Sequence, residues 1–219
     1  MLRAVATPRT QEERTEEARA RLRQAALELF ASDGYEATTL AAISLRAGYS
    51  RTLAQYHYPG KADLALELIG DRLDRDTQLD LLDCPDSASD ELAWATLLGH
   101  LKSVTRHYGA VHGSRKQSAV VRGEMALHAA AVMGCDEKIS SRVDQLTRIL
   151  VERVERLLNI CRQQGGIPSG TDCHALAVLY VHSIWGLALA MFANPKAVRH
   201  IETAMDQIRI LLEALRNKN

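Results

Sequence analysis

Apolar residues recur at three- and four-residue spacing along most of the chain, and this periodicity restricts the fold to α-helices. Ala18, Leu22, Ala25 and Leu29 form the first such series, with charged residues between them. Only 13 Gly and 5 Pro interrupt the 219 residues, whereas strand-rich proteins need many turn residues. Aromatic residues make up 5% and Ala and Leu dominate the apolar residues, which favours helices. The sequence therefore predicts an all-α protein.

Turn signals divide this pattern into about nine helices. Gly34, Gly48 and the Pro59-Gly60 pair end the first three, and the Gly165-Gly166-Ile167-Pro168 run ends the longest. The predicted helices span approximately 15–32, 39–47, 50–56, 60–82, 89–107, 117–133, 136–164, 172–193 and 197–216. Residues 1–14 are polar and are expected to form a flexible arm.

The charges balance overall but are distributed unevenly. The chain has 27 Lys+Arg and 27 Asp+Glu, with two basic and eight acidic residues in 62–86. A DNA-binding surface needs only local positive charge, so the total does not exclude nucleic acid. The N-terminus lacks the apolar segment of a secretory signal, which predicts a cytoplasmic protein with reduced thiols at Cys84, Cys135, Cys161 and Cys173.

The segment from Cys173 to Pro195 contains no Asp, Glu, Lys or Arg. Its 23 residues are long enough to span a bilayer, but it includes two His and has no flanking basic cluster. A helix that is apolar on all sides can also be buried in a soluble oligomer. We expect a buried interface rather than a membrane span.

Residues 38–61 carry the pattern of a helix-turn-helix, two short helices separated by Ala47-Gly48-Tyr49. The same pattern also fits two core helices joined by a glycine turn. Ser50 is expected to cap the second helix, whose N-terminal N–H groups would then face DNA. Hydrogen-bond donors follow it, and the candidate DNA-contacting residues are Thr39, Ser50, Arg51, Thr52, Leu53, Gln55, Tyr56, His57 and Lys61. Arg can read guanine and Gln can read adenine, although both could equally be solvated surface residues.

The surrounding block resembles the tetracycline-repressor (TetR) family of transcriptional regulators. The residues at the family's spacing are Ala26, Leu29, Phe30, Gly34, Tyr35, Thr38, Thr39, Ile43, Ala47, Gly48, Ser50, Tyr56, His57, Tyr58, Lys61 and Leu64. The positions that depart from the family are Ser44, Leu45, Thr52, Ala54 and Gln55. Most of them lie on the second helix of the motif, so the operator sequence does not follow from the resemblance.

The resemblance implies a three-helix DNA-binding domain at 15–61 and a helical ligand-binding and dimerisation domain at 62–219. It also implies a homodimer that binds double-stranded operator DNA and represses transcription until a small-molecule effector releases it. The candidate dimer residues are Leu179, Trp185, Leu189, Met205, Ile208 and Leu212. The candidate effector-binding residues are Trp94, Leu98, Leu101, Met125, His128, Tyr180 and Trp185, with Met133 and Met191 in second place. Each of these could instead be ordinary core.

Other functions find less support in the sequence. It shows none of the phosphate-binding, nucleophile-elbow or zinc-protease motifs of enzymes, so neither catalysis nor a cofactor is expected. Paired Cys and His residues at metal-ligand spacing are missing, which argues against a metal sensor. A thiol switch on the same fold is the alternative mechanism, with Cys135 beside a predicted helix start as its candidate.

Overall fold

The computed structural model describes residues 10–75, 79–109, 115–193 and 198–216, and no strand occurs among them. Nine α-helices lie in this part of the chain: α1 Gln11–Asp33, α2 Leu40–Arg46, α3 Leu53–His57, α4 Lys61–Arg75, α5 Asp90–Gly109, α6 Arg115–Val132, α7 Glu137–Gln163, α8 Cys173–Ala193 and α9 Val198–Arg216. A short 3-10 turn, Leu79–Leu82, precedes α5. The predicted all-α class is confirmed.

Helix α1 begins four residues before the predicted start. Thr10 forms a capping box with Glu13: the Thr10 N–H donates to the Glu13 carboxylate at 2.8 Å, and the Glu13 N–H donates to the Thr10 hydroxyl at 3.1 Å. Residues 10–14 are therefore the first turn of a helix rather than part of an arm, while 1–9 lie outside the described residues. Residues 110–114, between the fifth and sixth predicted helices, also lie outside the described residues, and α6 begins at Arg115, two residues before the predicted start.

A first hydrophobic cluster, here called the N-terminal core, joins α1 to α4 with parts of α6 and α7. Leu22, Phe30 and Ile43 are fully buried in it beside Leu64 of α4. Helices α6 and α7 contribute residues from far along the chain: Leu127, Ala130, Ala131, Ile139 and Leu146. The helix-turn-helix unit therefore packs with α6 and α7 and is not joined to the rest of the molecule through α4 alone.

Helix α6 approaches α1 unusually closely at Gly123. A Cβ atom at this position would lie 2.2 Å from the carbonyl oxygen of Leu27 and 2.8 Å from its Cα. No residue except glycine leaves room for this helix crossing. Two polar contacts also join the N-terminal helices to α7. Lys138 of α7 pairs with Asp63 of α4 at 3.2 Å, and the Tyr35 hydroxyl donates to Asp136 at the start of α7 at 3.4 Å.

A second cluster, the C-terminal core, is built from α5, α7, α8 and α9 with the first half of α6. Buried Leu97, Val154, Leu157 and Ala177 lie at its centre. A buried polar pair crosses it, since the ring Nδ1 of His100 lies 2.8 Å from the hydroxyl of Tyr180. Burial raises the pKa of Tyr180, so this hydroxyl stays neutral and acts as a hydrogen-bond partner between α5 and α8.

Helix α8 has one face in this core and one face open. Between Cys173 and Ala190 it is long and apolar enough to cross a membrane by length and composition alone, and about a third of that stretch is buried in the monomer. Its outer face carries Leu179, 63% exposed, and Leu189, 46% exposed. Helix α9 also carries exposed apolar residues, Ile210 and the 70% exposed Leu211.

Candidate nucleic-acid interface

Helix α2 ends in a glycine motif that sets the direction of the chain towards α3. Gly48 has a φ of +84°. The N–H of Gly48 donates to the Leu45 carbonyl and the N–H of Tyr49 donates to the Ser44 carbonyl, at 3.0 and 2.9 Å. These are the two hydrogen bonds of a Schellman motif, in which a left-handed glycine ends the helix. The predicted sharp turn at Gly48 is confirmed.

Ser44 and Ala54 hold α2 against α3, and both depart from the family pattern. The Ser44 hydroxyl accepts a hydrogen bond from the Ala54 N–H at 2.9 Å, and both residues are fully buried. This bond satisfies a backbone donor near the start of α3 that no preceding turn of helix can reach. The hydroxyl that distinguishes Ser44 from the family's usual alanine therefore has a structural role.

The recognition helix α3 begins later than predicted. Thr52 occupies the N-cap position and no side chain caps the helix, which starts at Leu53. The prediction that Ser50 caps this helix is therefore wrong, because the turn after Gly48 needs the residues up to Thr52. Thr39 does cap α2, and its hydroxyl accepts from the Ala42 N–H at 3.1 Å.

Most of the predicted DNA-contacting side chains lie on one exposed surface around α3. Tyr56 is the extreme case, with 84% of its surface exposed and its ring edge-on to His57 at 5.2 Å. The exposed members are Thr39, Ser50, Arg51, Thr52, Gln55 and Tyr56, and the half-buried members are Leu53, His57 and Lys61. Arg51 forms no salt bridge with a described residue, so its guanidinium is available to a ligand.

Lys61 has an intramolecular function that the sequence did not indicate. Its ammonium donates to the backbone carbonyls of Tyr35 and Glu36, at 2.6 and 3.1 Å, and lies 4.2 Å from the Tyr35 ring centroid. Burial lowers the pKa of Lys61. The side chain therefore fixes the turn between α1 and α2, which explains a lysine at a helix start without a phosphate nearby.

Glu67 of α4 ties this unit to α1. Its carboxylate accepts from Arg19 at 2.5 Å, from Arg23, and from the Tyr58 hydroxyl at 3.3 Å. Burial alone would raise the pKa of Glu67, but the hydrogen bonds from Arg19 and Arg23 outweigh burial and lower it. At least one acid of α4 is thus neutralised within the protein.

The comparison with protein families identifies this unit. Residues 22–68, from α1 into α4, match the model described as "Bacterial regulatory proteins, tetR family". Residues 22–68 are the TetR-family part of the chain. Members of this family bind operator DNA and small-molecule effectors and act as dimers. A comparison of the sequence with curated proteins finds no match.

Solved structures extend the TetR-family likeness to the C-terminal helices. The "SmeT-Triclosan complex" has a TM-score of 0.72 at 17% identity, with 90% of each chain covered. SmeT, "the repressor of the Stenotrophomonas maltophilia multidrug efflux pump SmeDEF", gives 0.65 at 18% identity over 90% of this chain and 91% of that one. NalD, "the secondary repressor of MexAB-OprM multidrug efflux pump in Pseudomonas aeruginosa", gives 0.62 at 17% identity, covering 89% and 97%. At these identities the likeness establishes the fold.

The predicted effector-binding residues are packed together in the C-terminal part of this TetR fold. Trp94, Leu101, Met125 and Tyr180 are buried in the C-terminal core, and Leu98 and Trp185 pack against it half-buried. The His128 ring stacks on Trp185, with centroids 4.2 Å apart and planes 5° from parallel. Met133 is 80% exposed in the α6–α7 turn and does not join them, and the Met191 side chain lies outside the described residues.

Buried polar residues are what the sequence reasoning missed here. His100 and Glu124 are both buried, although both are polar residue types that usually lie at the surface. Their spacing was the available signal, because His100 lies one helical turn after Leu97 and Glu124 lies one helical turn before the predicted residue His128.

The predicted dimer residues divide into two groups. Leu179 and Leu189 are exposed, as an interface in a monomer should be. Met205 and Leu212 are buried inside the protomer, Ile208 packs against the C-terminal core, and Trp185 stacks on His128. The prediction that Met205 and Leu212 face a partner is therefore wrong: they form the inward stripe of α9, and Ile210 and Leu211 form the outward one.

The cysteines offer little support for a thiol switch. Burial raises the pKa of Cys161 to about 11 and also raises that of Cys173, so both thiols stay protonated and unreactive. Cys84 is buried as well. Cys135 is half-buried beside Asp136, which caps α7 by accepting from the Lys138 N–H at 2.9 Å.

Proposed function

We propose that this TetR-family protein is a cytoplasmic, homodimeric transcriptional repressor that a small molecule releases from its operator. The observation that carries the proposal is the exposed surface around α3. Donor side chains and a solvent-exposed tyrosine stand on a short helix held by the Ser44–Ala54 hydrogen bond and the Gly48 motif. An aromatic ring exposed to this extent has no role in the stability of the monomer. Nothing in the family or the fold calls for catalysis.

Sequence reading is assigned to the exposed side chains of α3 and of the turn that precedes it. Arg51 and Gln55 supply groups that can bond guanine and adenine edges in a major groove. Ser50, Thr52 and Tyr56 supply hydroxyls suited to phosphates, which position a protein without reading sequence. Lys61 contributes by holding the turn that presents Thr39, in addition to its predicted phosphate contact.

The proposed dimer forms through the outer faces of α8 and α9. Leu179, Leu189, Ile210 and Leu211 leave an apolar surface that water would otherwise cover. Gly186 lies on the same face of α8, where a Cβ would meet nothing within 4 Å in the monomer. A glycine there allows close approach of a partner helix. Four helices, two from each protomer, would place two recognition helices one DNA turn apart, about 34–36 Å.

The effector response rests on the composition of the C-terminal domain. SmeT, of the same fold, was crystallised with triclosan. The stacked aromatic pair of His128 and Trp185 and the buried His100–Tyr180 bond place aromatic and polar groups in this domain. These features favour a small organic effector over a thiol switch, whose only half-exposed candidate is Cys135.

The test begins with selection of an operator from a random duplex library, followed by fluorescence anisotropy on the selected and a scrambled duplex. Arg51→Ala and Gln55→Ala should each reduce the preference for the selected duplex by about 1–3 kcal/mol. Lys61→Ala should weaken both duplexes by the same factor, because its contacts are not with bases. Arg148→Ala on α7, whose guanidinium pairs with Asp144 at 2.6 Å, serves as the control.

Failure to enrich any duplex sequence would contradict the proposal of an operator-binding regulator. An unchanged preference in both Arg51→Ala and Gln55→Ala would move base reading to other residues. Loss of the selected duplex alone in Lys61→Ala would contradict the division between reading and positioning residues.

A further inference from the structure

An open cavity of about 520 Å³ lies between α5 and α9. Its volume falls within the range of small-molecule sites, about 300–1,000 Å³. Of the predicted effector residues, only Leu98 and Leu101 border it. It therefore differs from the packed region around His128 and Trp185.

The floor of this cavity is apolar. Leu98, Leu101 and Met205 supply its surface. The one hydroxyl among them belongs to Thr105, which already donates to the Leu101 carbonyl at 2.8 Å and touches the Met205 sulfur at 3.3 Å. With that hydroxyl satisfied, the floor suits a hydrocarbon rather than a polar group.

The rim of the cavity carries uncompensated positive charge. Arg209 is engaged by both carboxylate oxygens of Glu213 at 2.9 Å and lies 3.7 Å from Asp206. Lys102 and Arg106 stand one helical turn apart on α5 and form no salt bridge with a described residue. Like charges at this spacing repel each other, and an anion placed between them removes the repulsion.

Gly99 gives a third reason to expect an occupant. It lies in the interior of α5 at the edge of the cavity, where glycine weakens a helix relative to alanine. A Cβ at this position would meet nothing within 4 Å, so no neighbouring residue requires a glycine. A ligand that approaches the backbone would require one.

We propose that this cavity binds an amphipathic organic anion, a carboxylate with an apolar tail. Lys102 and Arg106 hold the carboxylate, and Leu98, Leu101 and Met205 receive the tail. Arginine binds carboxylates through two parallel hydrogen bonds, which favours a carboxylate over an anion whose charge is spread over many atoms. The effect of this anion on DNA binding rests on the proposed function. Binding of the anion to the cavity does not.

Isothermal titration of the full chain with decanoate, in the absence of DNA, tests the site. Decanoate should bind at least tenfold more tightly than decanol, which has the same tail without the charge. The double variant Lys102→Ala/Arg106→Ala should weaken decanoate binding at least tenfold. The control Arg142→Ala/Arg148→Ala removes two positive charges from α7 and should leave the affinity unchanged.

Two variants at Gly99 test the apolar part. Gly99→Ala should weaken decanoate binding several-fold, because the added methyl group occupies the space in which the ligand approaches the backbone, and Gly99→Phe should abolish binding by filling the cavity. Circular dichroism confirms the fold of each variant. Equal affinity for decanoate and decanol, or equal loss in the two double variants, would overturn the assignment of an anion. Absence of decanoate binding at millimolar concentration would overturn the site.

A second titration separates this inference from the proposed function. Decanoate that binds the protein and releases the selected duplex supports both. Decanoate that binds without changing the affinity for DNA supports the site and contradicts its role as the effector site. If the protein binds the selected duplex specifically but does not bind decanoate, the result contradicts the site and does not contradict the repressor proposal.

Discussion

At the scale of single residues, the helix-turn-helix depends on polar contacts that a sequence pattern reveals only in part. Gly48 and Thr39 have the roles that their local sequence predicts, because turns and caps are decided within four residues. The local sequence does not predict the roles of Ser50, Lys61 and Ser44. The partners of Lys61 are carbonyls 25 and 26 residues away, and that of Ser44 is the Ala54 N–H, so their roles follow only from the packed structure.

Glu67 provides the residue-scale prediction. Its pKa is lower in the folded protein than the usual 4.5, so its bonds to Arg19 and Arg23 stabilise the fold above that pH. This contribution is lost as the pH falls through the lowered folded-state value. Glu67→Gln should cost about 2 kcal/mol of unfolding free energy at pH 7 and much less in strongly acidic buffer, measured by urea denaturation.

Glu17→Gln is the matched control for this prediction. Glu17 pairs with Arg21 on the exposed side of α1, at 2.7 Å, and such surface pairs contribute little. A Glu67→Gln penalty that stays the same at pH 7 and in acid would show that charge does not account for it.

At the scale of secondary-structure elements, the helices themselves were predictable and their packing was not. The long amphipathic helix α7, Glu137–Gln163, was predicted to within one residue at each end because its stripe and both caps are local. The contact between α1 and α6 joins residues almost a hundred positions apart. Periodicity shows that a helix has an apolar face but does not name the helix that covers it.

Gly123 provides the element-scale prediction. Gly123→Ala should destabilise the protein by about 1–3 kcal/mol, because the added methyl must push α6 off the backbone of α1 at Leu27. Thermal and urea unfolding measure the effect. The same variant should weaken operator binding, because α1 packs with the helix-turn-helix in the N-terminal core and a shift of α1 would disturb that packing.

Gly70→Ala is the control, because Gly70 also lies inside a helix but its Cβ would meet nothing within 4 Å. Alanine there should be neutral or should stabilise by up to about 1 kcal/mol. Equal stability of the two alanine variants would contradict the tight crossing of α1 and α6.

At the scale of the whole molecule, the choice of dimer face shows why helical periodicity was insufficient. Helix α9 has two apolar stripes, and the sequence analysis selected Met205 and Leu212, which point inward. Met205, Ile208 and Leu212 repeat at helical spacing, whereas the outward residues Ile210 and Leu211 are adjacent, so periodicity alone favours the stripe that packs inward. Leu179 and Leu189 of α8 are exposed, and their place in a dimer interface stays a prediction.

Leu211 provides the whole-molecule prediction. Leu211→Glu places a charge in the proposed seam and should raise the dimer dissociation constant at least 100-fold, about 3 kcal/mol, without unfolding the protomer. Light scattering across a dilution series measures the mass. Leu92→Glu, at an exposed leucine on α5, is the control and should leave the dimer intact. A dimer of unchanged stability in Leu211→Glu would place the interface elsewhere.

The crossing at Gly123 also limits how such a regulator can diversify. Operator preference can change by single substitutions on α3, whose outward side chains have no part in the core. Grafting the N-terminal helices onto another regulator's effector domain is harder, because a chimaera must also bring a glycine facing Leu27 and the surface of α6 around it. Single substitutions can therefore change the DNA-binding surface of such a regulator, whereas recombination at the boundary between the domains must transfer α6 together with the N-terminal helices.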